Sequence, residues 1–250
     1  MLRRVPAASQ KVYELSPEDP RVRRGLYTVA GAARMVGMSA STLTSWAKGY
    51  ERRFPGRPSV QQGPVITSVN AERGEGTIPF VGLVEATVVQ AFRRTEFPLQ
   101  RIRRALSVLA AQGELDHPLA SRRLYYDGAQ LLYDYAREHG DEHIMMLIAV
   151  ESGQRVFHEV VHRYLRRIEF DGDEWATRLV LPITSRPLLR VVPTVADGDP
   201  LFINGGAPLS AVRSRFAAGE PLRSIAADYE VPLDDLREAM DALGRTPQAA

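Results

Sequence analysis

The sequence lacks cysteine altogether, carries only two lysines, Lys11 and Lys48, and has no long apolar run. The lack of cysteine excludes disulfides, thiolate metal sites and cysteine nucleophiles. The longest apolar stretch, from Ile144 to Val150, is far too short to cross a bilayer. No signal-peptide pattern follows the basic residues near the N-terminus. We therefore expect a cytoplasmic protein with no membrane partner.

The composition is that of a folded protein, and its charge is divided between two halves. Of 250 residues, 44% are hydrophobic and 25% are charged, which suits two or three small domains. Residues 1–110 hold 17 Lys and Arg against 8 Asp and Glu, a surplus of +9. Residues 111–250 hold 15 against 22, which leaves −7. A basic surface attracts a polyphosphate and an acidic one repels it, so this division predicts DNA binding by the first half.

Residues 28–50 contain two short helical patterns around one turn. In the first, apolar residues recur at i, i+4 and i+7 from Val29. Gly37 ends it, and Ser39 is placed to cap a second helix whose inward stripe includes Trp46. The outward side chains of the second helix are small or cationic: Ser41, Thr42, Thr44, Ser45 and Lys48. The pattern predicts a helix-turn-helix with its second helix in a DNA groove, the alternative being a helical hairpin in an unrelated core.

A second DNA-contacting element is expected after the helix-turn-helix. β-Branched residues at 65–69 and 77–81 flank a turn-like segment that carries Arg73. They predict a hairpin, or wing, whose arginine meets the phosphate backbone. The preceding segment, 51–64, is rich in proline and arginine and is expected to be irregular. The complete set of predicted DNA-binding residues is Arg34, Ser39, Ser41, Thr42, Thr44, Ser45, Lys48, Arg52, Arg53, Arg57 and Arg73.

Two further helices are predicted, one over 83–94 and one that starts at Pro98, each with an apolar face. The order of helix-turn-helix, wing and second helix pair resembles the DNA-binding domain of the MerR family. By that resemblance, residues 25–112 form a MerR-like winged helix-turn-helix domain and Ser41 to Lys48 form its recognition helix. Residues 1–24, broken by prolines, predict a flexible basic arm that either reaches along DNA or is disordered.

Residues 117–195 predict an α+β middle module. Its expected elements are a hairpin around Asp127-Gly128, a strand at 144–150, an amphipathic helix at 157–168, and strands at 175–181 and 188–192. The expected fold class is therefore mainly α with small β elements. Along the chain it consists of an N-terminal winged helix-turn-helix, an α+β middle module and a C-terminal three-helix domain.

Residues 197–245 predict that C-terminal domain of three short helices, two of which begin at Pro221 and Pro232. The last helix is expected to expose four carboxylates, those of Asp234, Asp235, Glu238 and Asp241. Four negative charges oppose contact with phosphate. Protein contact or dimerisation is therefore expected here instead of DNA binding.

The segment from Phe202 to Met240 resembles a small C-terminal domain that recurs in antitoxins of bacterial type II toxin–antitoxin pairs. The motifs that carry the resemblance are Ala218-Gly219-Glu220, Ile225-Ala226 and Asp228-Tyr229. Together with the MerR-like N-terminal domain, these motifs make the whole chain resemble a VapB-type antitoxin. Gly206-Ala207-Pro208 replaces the Gly-Thr-Arg stretch that is usual in the C-terminal domain. The resemblance implies neutralisation of a PIN-like ribonuclease toxin and autorepression of the operon, with operator DNA bound by a homodimer.

One short motif points to a different function. Residues 158–162 spell HExxH, in which His158 and His162 would hold zinc and the glutamate would act as a base in a metallopeptidase. No third ligand follows at the usual spacing, and Arg163 and Arg166 would repel a dication. We expect a non-enzyme with no cofactor and no metal. A zinc peptidase, and a MerR-like regulator that senses a small organic ligand through the middle module, are the alternatives.

Overall fold

The structure is a computed structural model that describes residues 15–54, 57–72, 74–94, 98–113, 117–142, 144–145 and 166–244. The helices are α1 (Pro20–Arg23), α2 (Val29–Val36), α3 (Ala40–Lys48), α4 (Phe80–Arg94), α5 (Leu99–Gly113), α6 (Arg123–His139), α7 (Leu209–Ala217), α8 (Leu222–Asp228) and α9 (Leu233–Gly244). The strands are β1 (Tyr50–Phe54), β2 (Arg57–Gln62), β3 (Ile168–Phe170), β4 (Ala176–Val180), β5 (Leu189–Val191) and β6 (Leu201–Phe202). This content confirms a mainly α fold with small β elements.

Helix α4 is the centre of the N-terminal domain. It contacts α1, α2, α3 and α5, and residues 80–89 along it are buried. Gly82 permits this close packing, because a Cβ at that position would lie only 2.2 Å from the carbonyl oxygen of Thr67. Burial of each large apolar side chain contributes about 1.5–3 kcal/mol, so α4 holds the two shorter helices α2 and α3 in place.

The hairpin lies earlier in the chain than the sequence analysis predicts. Strands β1 and β2 pair antiparallel, with Tyr50 opposite Gln62 and Phe54 opposite Arg57. The expectation of an irregular segment at 51–64 is therefore wrong, and so is the prediction of strands at 65–69 and 77–81. The winged arrangement is retained, but residues 50–62 form its hairpin.

Residues 65–67 do not pair as a strand because their N–H groups bond to other partners, whereas the N–H of Val69 does donate to the second predicted strand, at the Thr77 carbonyl, at 2.9 Å. The N–H groups of Val65 and Ile66 donate to the Trp46 carbonyl at the end of α3, at 2.8 and 3.3 Å. The N–H of Thr67 donates to the carboxylate of Glu85 on α4 at 2.5 Å. The segment is therefore a connecting loop, held between the end of α3 and α4.

The middle of the chain is more helical than predicted. A hairpin around Asp127-Gly128 was expected, but both residues lie inside the long helix α6, which buries Leu124, Leu132 and Ala136 against its neighbours. Residues 144–145 are helical where a strand was predicted, and Ile168 begins β3. Residues 146–165, which include most of the predicted strand and helix there, lie outside the described residues. The two strands predicted around 175–181 and 188–192 are confirmed as β4 and β5.

A four-stranded antiparallel sheet in the order β3-β4-β5-β6 lies in the C-terminal half of the chain, and its strand β4 contacts α4 of the N-terminal half. Beside it, the buried Tyr27 hydroxyl donates to the Gly198 carbonyl at 3.0 Å. Arg21 bonds to Asp173 at 2.5 Å, across 152 positions of sequence. The prediction of a flexible arm over residues 1–24 is thus wrong for its last part, which forms α1 and contacts the C-terminal half.

The C-terminal domain has the three helices predicted, now α7, α8 and α9. The expectation of four exposed carboxylates on α9 is wrong for two of them. Asp235 is 5% exposed and accepts from Asn204 at 3.1 Å, and Glu238 lies 3.0 Å from Arg186. Asp234 and Asp241 are exposed. Within the described ranges, no helix is long and apolar enough to cross a membrane.

Candidate nucleic-acid interface

The turn between α2 and α3 is set by local hydrogen bonds at each end. Gly37 ends α2 with a φ of 73°, a left-handed conformation that glycine adopts readily, and its N–H donates back to carbonyls of α2. Met38, inside the turn, is buried. Ser39 then caps α3 by accepting the N–H of Thr42 at 3.2 Å. The angle at which α3 leaves α2 therefore follows from five or six residues of local sequence.

Helix α3 presents one face to the core and the other to solvent. Leu43, Trp46 and Ala47 are buried. Of the predicted groove-facing residues, Ser41, Thr42, Thr44 and Lys48 are exposed and Ser45 is half-buried. The outer face of α3 carries no carboxylate, and its short side chains allow another backbone to approach closely.

Two hydroxyl groups of this outer face, those of Thr44 and Ser45, are already engaged as donors. Thr44 Oγ1 donates to the Ala40 carbonyl at 2.8 Å, and Ser45 Oγ donates to the Ser41 carbonyl at 3.1 Å. Ser39 Oγ lies 3.1 Å from Ser41 Oγ. A hydroxyl that has donated its proton retains acceptor lone pairs. This face is therefore better suited to accept hydrogen bonds from the amino groups of bases than to donate them.

Three cationic side chains surround the turn. Arg34 lies in the last turn of α2 and Lys48 in the last turn of α3, and both are exposed. Neither forms an ion pair with any part of the chain that the structure describes. Arg94, at the end of α4, places its Nη2 atom 3.5 Å from the Cβ position of Gly37. Arg94 is not among the DNA-binding residues predicted from sequence, although its position in the last turn of a predicted helix next to the helix-turn-helix is visible there.

The hairpin next to α3 carries three of the predicted arginines. The backbone of Arg52 and Arg53 lies in β1 and that of Arg57 in β2. Their side chains lie outside the described part of the structure, as does Arg73 entirely. The hairpin thus brings three more arginine positions into the element that follows directly on α3.

The HExxH motif, with its predicted ligands His158 and His162, lies outside the described residues. In the rest of the chain, over the ranges that the structure describes, no group of three or more His, Asp or Glu side chains is arranged to hold a metal ion.

The fold and the exposed face of α3 define a protein with a DNA-binding helix-turn-helix domain. Residues 25–106 match a domain family described as "Putative DNA-binding HTH domain". The match begins just before α2 and ends within α5, so it encloses the helix-turn-helix, the hairpin and α4.

Similar proteins cover nearly the whole chain. "Putative antitoxin VapB45" of Mycobacterium tuberculosis is 39% identical over 224 residues, which are 87% of this chain and 93% of that protein. The chain belongs to the family of this VapB-type antitoxin, as its resemblance predicted. "Uncharacterized protein Rv2308" of the same organism is 25% identical over 229 residues, 87% of this chain and 90% of that protein. The crystal structure of Rv2018 from Mycobacterium tuberculosis has a TM-score of 0.72 at 34% identity, and the alignment covers 88% of this chain and 99% of that one.

Proposed function

We propose that this protein is a non-catalytic antitoxin that binds operator DNA as a homodimer, represses its own operon and neutralises a PIN-like ribonuclease toxin. The observation that carries the DNA-binding part is the outer face of α3, which is exposed, free of carboxylates and flanked by Arg34, Lys48 and Arg94. Membership of the family of a putative antitoxin supports the toxin-binding part.

The geometry supports a recognition helix that lies in the major groove. A helix of nine residues presents about two turns to the groove, enough for contacts with three or four bases. Its short side chains give modest discrimination between bases, so most of the affinity would come from phosphate contacts. Specificity would then depend on two such helices that read two half-sites, which is the reason for proposing a dimer.

The C-terminal half supplies the properties expected of a surface for a basic protein partner. Residues 111–250 carry the net charge of −7, and Asp234 and Asp241 are exposed on α9. On α7 of the same three-helix domain, Phe216 is 46% exposed. A domain that exposes both an apolar ring and carboxylates is suited to a protein interface and unsuited to DNA.

The DNA-binding proposal is tested with full-length protein and a duplex of the DNA upstream of its own gene. A variant with Lys48, Arg52 and Arg53 all changed to Gln is compared with the wild type by fluorescence anisotropy over a range of salt concentrations. Each lost phosphate contact should lower the slope of log K against log salt by about one unit.

A charge-matched control has Arg137, Arg178 and Arg237 changed to Gln, which are exposed arginines outside the N-terminal domain. This control should keep the wild-type slope. If the first variant also kept it, with an unchanged circular dichroism spectrum, the assignment of α3 and the hairpin to the DNA interface would be wrong.

A further inference from the structure

A pocket of about 640 Å³ is lined in part by the connecting loop. Its walls are the connecting loop, the start of α4, the middle of α5 and the short turn Pro118–Ala120. A volume of this size fits a small organic molecule. The lining is partly apolar, through Val65, Leu106 and Leu119, and it contains a small set of charged groups.

Arg103 is the cationic group of this pocket. Its Nη1 atom donates to the Gly63 carbonyl, and its guanidinium lies 5.9 Å from the centre of the Tyr50 ring. Its Nη2 atom is buried and has no hydrogen-bond partner among the described residues. Burial lowers the pKa of Arg103, yet a guanidinium remains charged in proteins. The pocket thus holds a fixed positive charge with one buried donor still unused.

The acidic group of the pocket, Glu85, in contrast already has a hydrogen-bond partner for each carboxylate oxygen. Glu85 is 5% exposed, and its two oxygens meet the N–H of Thr67 at 2.5 Å and Nδ1 of His117 at 3.2 Å. The Thr67 hydroxyl lies 2.9 Å from the same His117 nitrogen. The carboxylate of Glu85 in the lining opposes a doubly charged anion more strongly than a singly charged one. What this site still lacks is a hydrogen-bond acceptor with a single negative charge that binds Arg103.

The loop that forms one wall is bonded directly to the recognition helix. Val65 N–H donates to the Trp46 carbonyl at 2.8 Å, and Ser68 Oγ donates to the Ala47 carbonyl at 3.1 Å. Two residues before this loop, the Gly63 carbonyl accepts a hydrogen bond from Arg103. A group that binds Arg103 therefore acts on a segment that is bonded to the last turn of α3.

We propose that this pocket binds a small organic monocarboxylate, with its carboxylate on Arg103 and its apolar part on Leu106 and Leu119, and that its binding changes the affinity for operator DNA. The site is an addition to the antitoxin function, and only its effect on DNA depends on that function. Coupling between two sites joined in this way is commonly 5–150-fold.

The first test measures binding of phenylacetate to the full-length protein by calorimetry. Phenylacetamide is its uncharged counterpart, and phenylphosphonate offers a dianion on the same ring. We expect phenylacetate to bind at least tenfold more tightly than either. If phenylphosphonate bound best, the site would be one for phosphate groups and the carboxylate assignment would be wrong. If none bound, the pocket would hold water only and the proposal would fail.

Variants then locate the site. Arg103→Gln should weaken phenylacetate binding at least tenfold, because a charge-assisted hydrogen bond is lost, whereas Arg101→Gln on the same helix should stay within about twofold. Since Arg103 also holds Gly63, Leu106→Trp provides a second variant that fills the pocket and leaves that contact intact. It too should weaken phenylacetate binding at least tenfold. Equal binding by all three variants would overturn the assignment.

Tryptophan fluorescence gives a local readout. The chain has two tryptophans, so Trp46→Phe leaves only Trp175, whose ring lies edge-on to His117 with centroids 6.4 Å apart. Phenylacetate should change this emission saturably. In saturating phenylacetate, operator affinity should shift at least fivefold. An unchanged affinity for operator DNA would overturn the proposed coupling. If the protein did not bind DNA at all, its operator role would be refuted, but the binding of phenylacetate measured by calorimetry would stand.

Discussion

Gly49 is the residue on which the geometry of the hairpin depends most. It joins α3 to β1 with a φ of 73° and a ψ of −175°. A Cβ at this position would lie 2.2 Å from the carbonyl oxygen of Gln62, at the far end of β2. Any other residue would have to separate the two strands where they meet the recognition helix.

The variant Gly49→Ala should therefore lower the free energy of unfolding by about 1–3 kcal/mol, through both the unfavourable φ and the close backbone contact. Gly63→Ala, one position beyond Gln62, is the matched control. Its Cβ would meet no atom within 4 Å, so the loss should stay below about 1 kcal/mol. Urea unfolding curves measure both, and equal losses would contradict the role given to Gly49.

The local residues of the helix-turn-helix were predictable because each acts on its immediate neighbours. Ser39 caps α3 within three positions, and Gly37 ends α2 through its own backbone conformation. The role of Glu85 was not predictable, because its partners Thr67 and His117 are 18 and 32 positions away. The sequence around a buried carboxylate on an otherwise apolar helix face does not reveal its role, because that role depends on partners that only the folded chain brings together.

At the scale of the element, α3 and α9 make an instructive pair. Each follows a shorter helix and a tight turn, yet only α3 has an outer face without carboxylates. The face of α9 is instead fastened to residues 182–187. Arg186 lies 3.1 Å from Asp235 and 3.0 Å from Glu238, and Ser185 Oγ donates to Glu238 at 2.9 Å. This helix is therefore anchored to the loop that follows β4.

Replacement of Arg186 by Met should destabilise the C-terminal domain at neutral pH, since it leaves the buried Asp235 without its cation. The hydrogen bond from Arg186, followed by that from Ser185, lowers the pKa of Glu238 below its usual 4.5. A carboxylate with a lowered pKa stabilises the fold above its unfolded pKa and ceases to do so as it is protonated. The difference in stability between wild type and variant should accordingly be present at pH 7 and shrink below about pH 4.5.

Thermal unfolding between pH 3 and 7 measures this difference. The control is Arg237→Met, because Arg237 is an exposed cation on the same helix whose partner, Asp234, is also exposed. It should cost less, and its effect should vary less with pH. A loss from Arg186→Met that persisted unchanged at pH 3 would show that packing, and not the ion pair, holds α9.

Elements whose signals are local were predicted correctly, and those decided by tertiary contacts were not. The helices α2, α3, α7, α8 and α9 begin at caps or prolines and carry regular apolar stripes. The hairpin was misplaced because residues 65–67 of the β-branched segment give their N–H groups to Trp46 and Glu85, while residues 50–62 pair with each other. In α6, the buried stripe through Leu124, Leu132 and Ala136 outweighed the turn signal of Asp127-Gly128.

At the scale of the whole molecule, the two proposed partners, operator DNA and the toxin, are expected to bind halves of opposite net charge. The basic half carries the helix-turn-helix, and the acidic half carries the three-helix domain. When the small open reading frame next to its gene is co-expressed, the full chain should purify as a stable complex with the basic protein that this reading frame encodes. A homodimer without it would favour a regulator that senses a small molecule over an antitoxin.

In the same complex, changing Asp234 and Asp241 together to Asn should lower the association rate severalfold and reduce its salt dependence, because peripheral charges act mainly on encounter. The control changes Glu72 and Glu75 to Gln, which are exposed carboxylates of the basic half. Stopped-flow mixing measures both rates. If the control slowed association as much, the acidic face of α9 would not be the one that meets the toxin.

The hydrogen bond from Tyr27 to Gly198 limits how far the two halves can be treated as modules. Tyr27 directly precedes the first residue of the helix-turn-helix, and its buried hydroxyl ends on the C-terminal half of the chain. A fragment cut at residue 106 would leave this hydroxyl without its acceptor and uncover the ring around it. The helix-turn-helix domain therefore depends on the C-terminal half for one of its buried hydrogen bonds. If the domain were grafted onto another protein, residues 196–198 would have to be transferred with it.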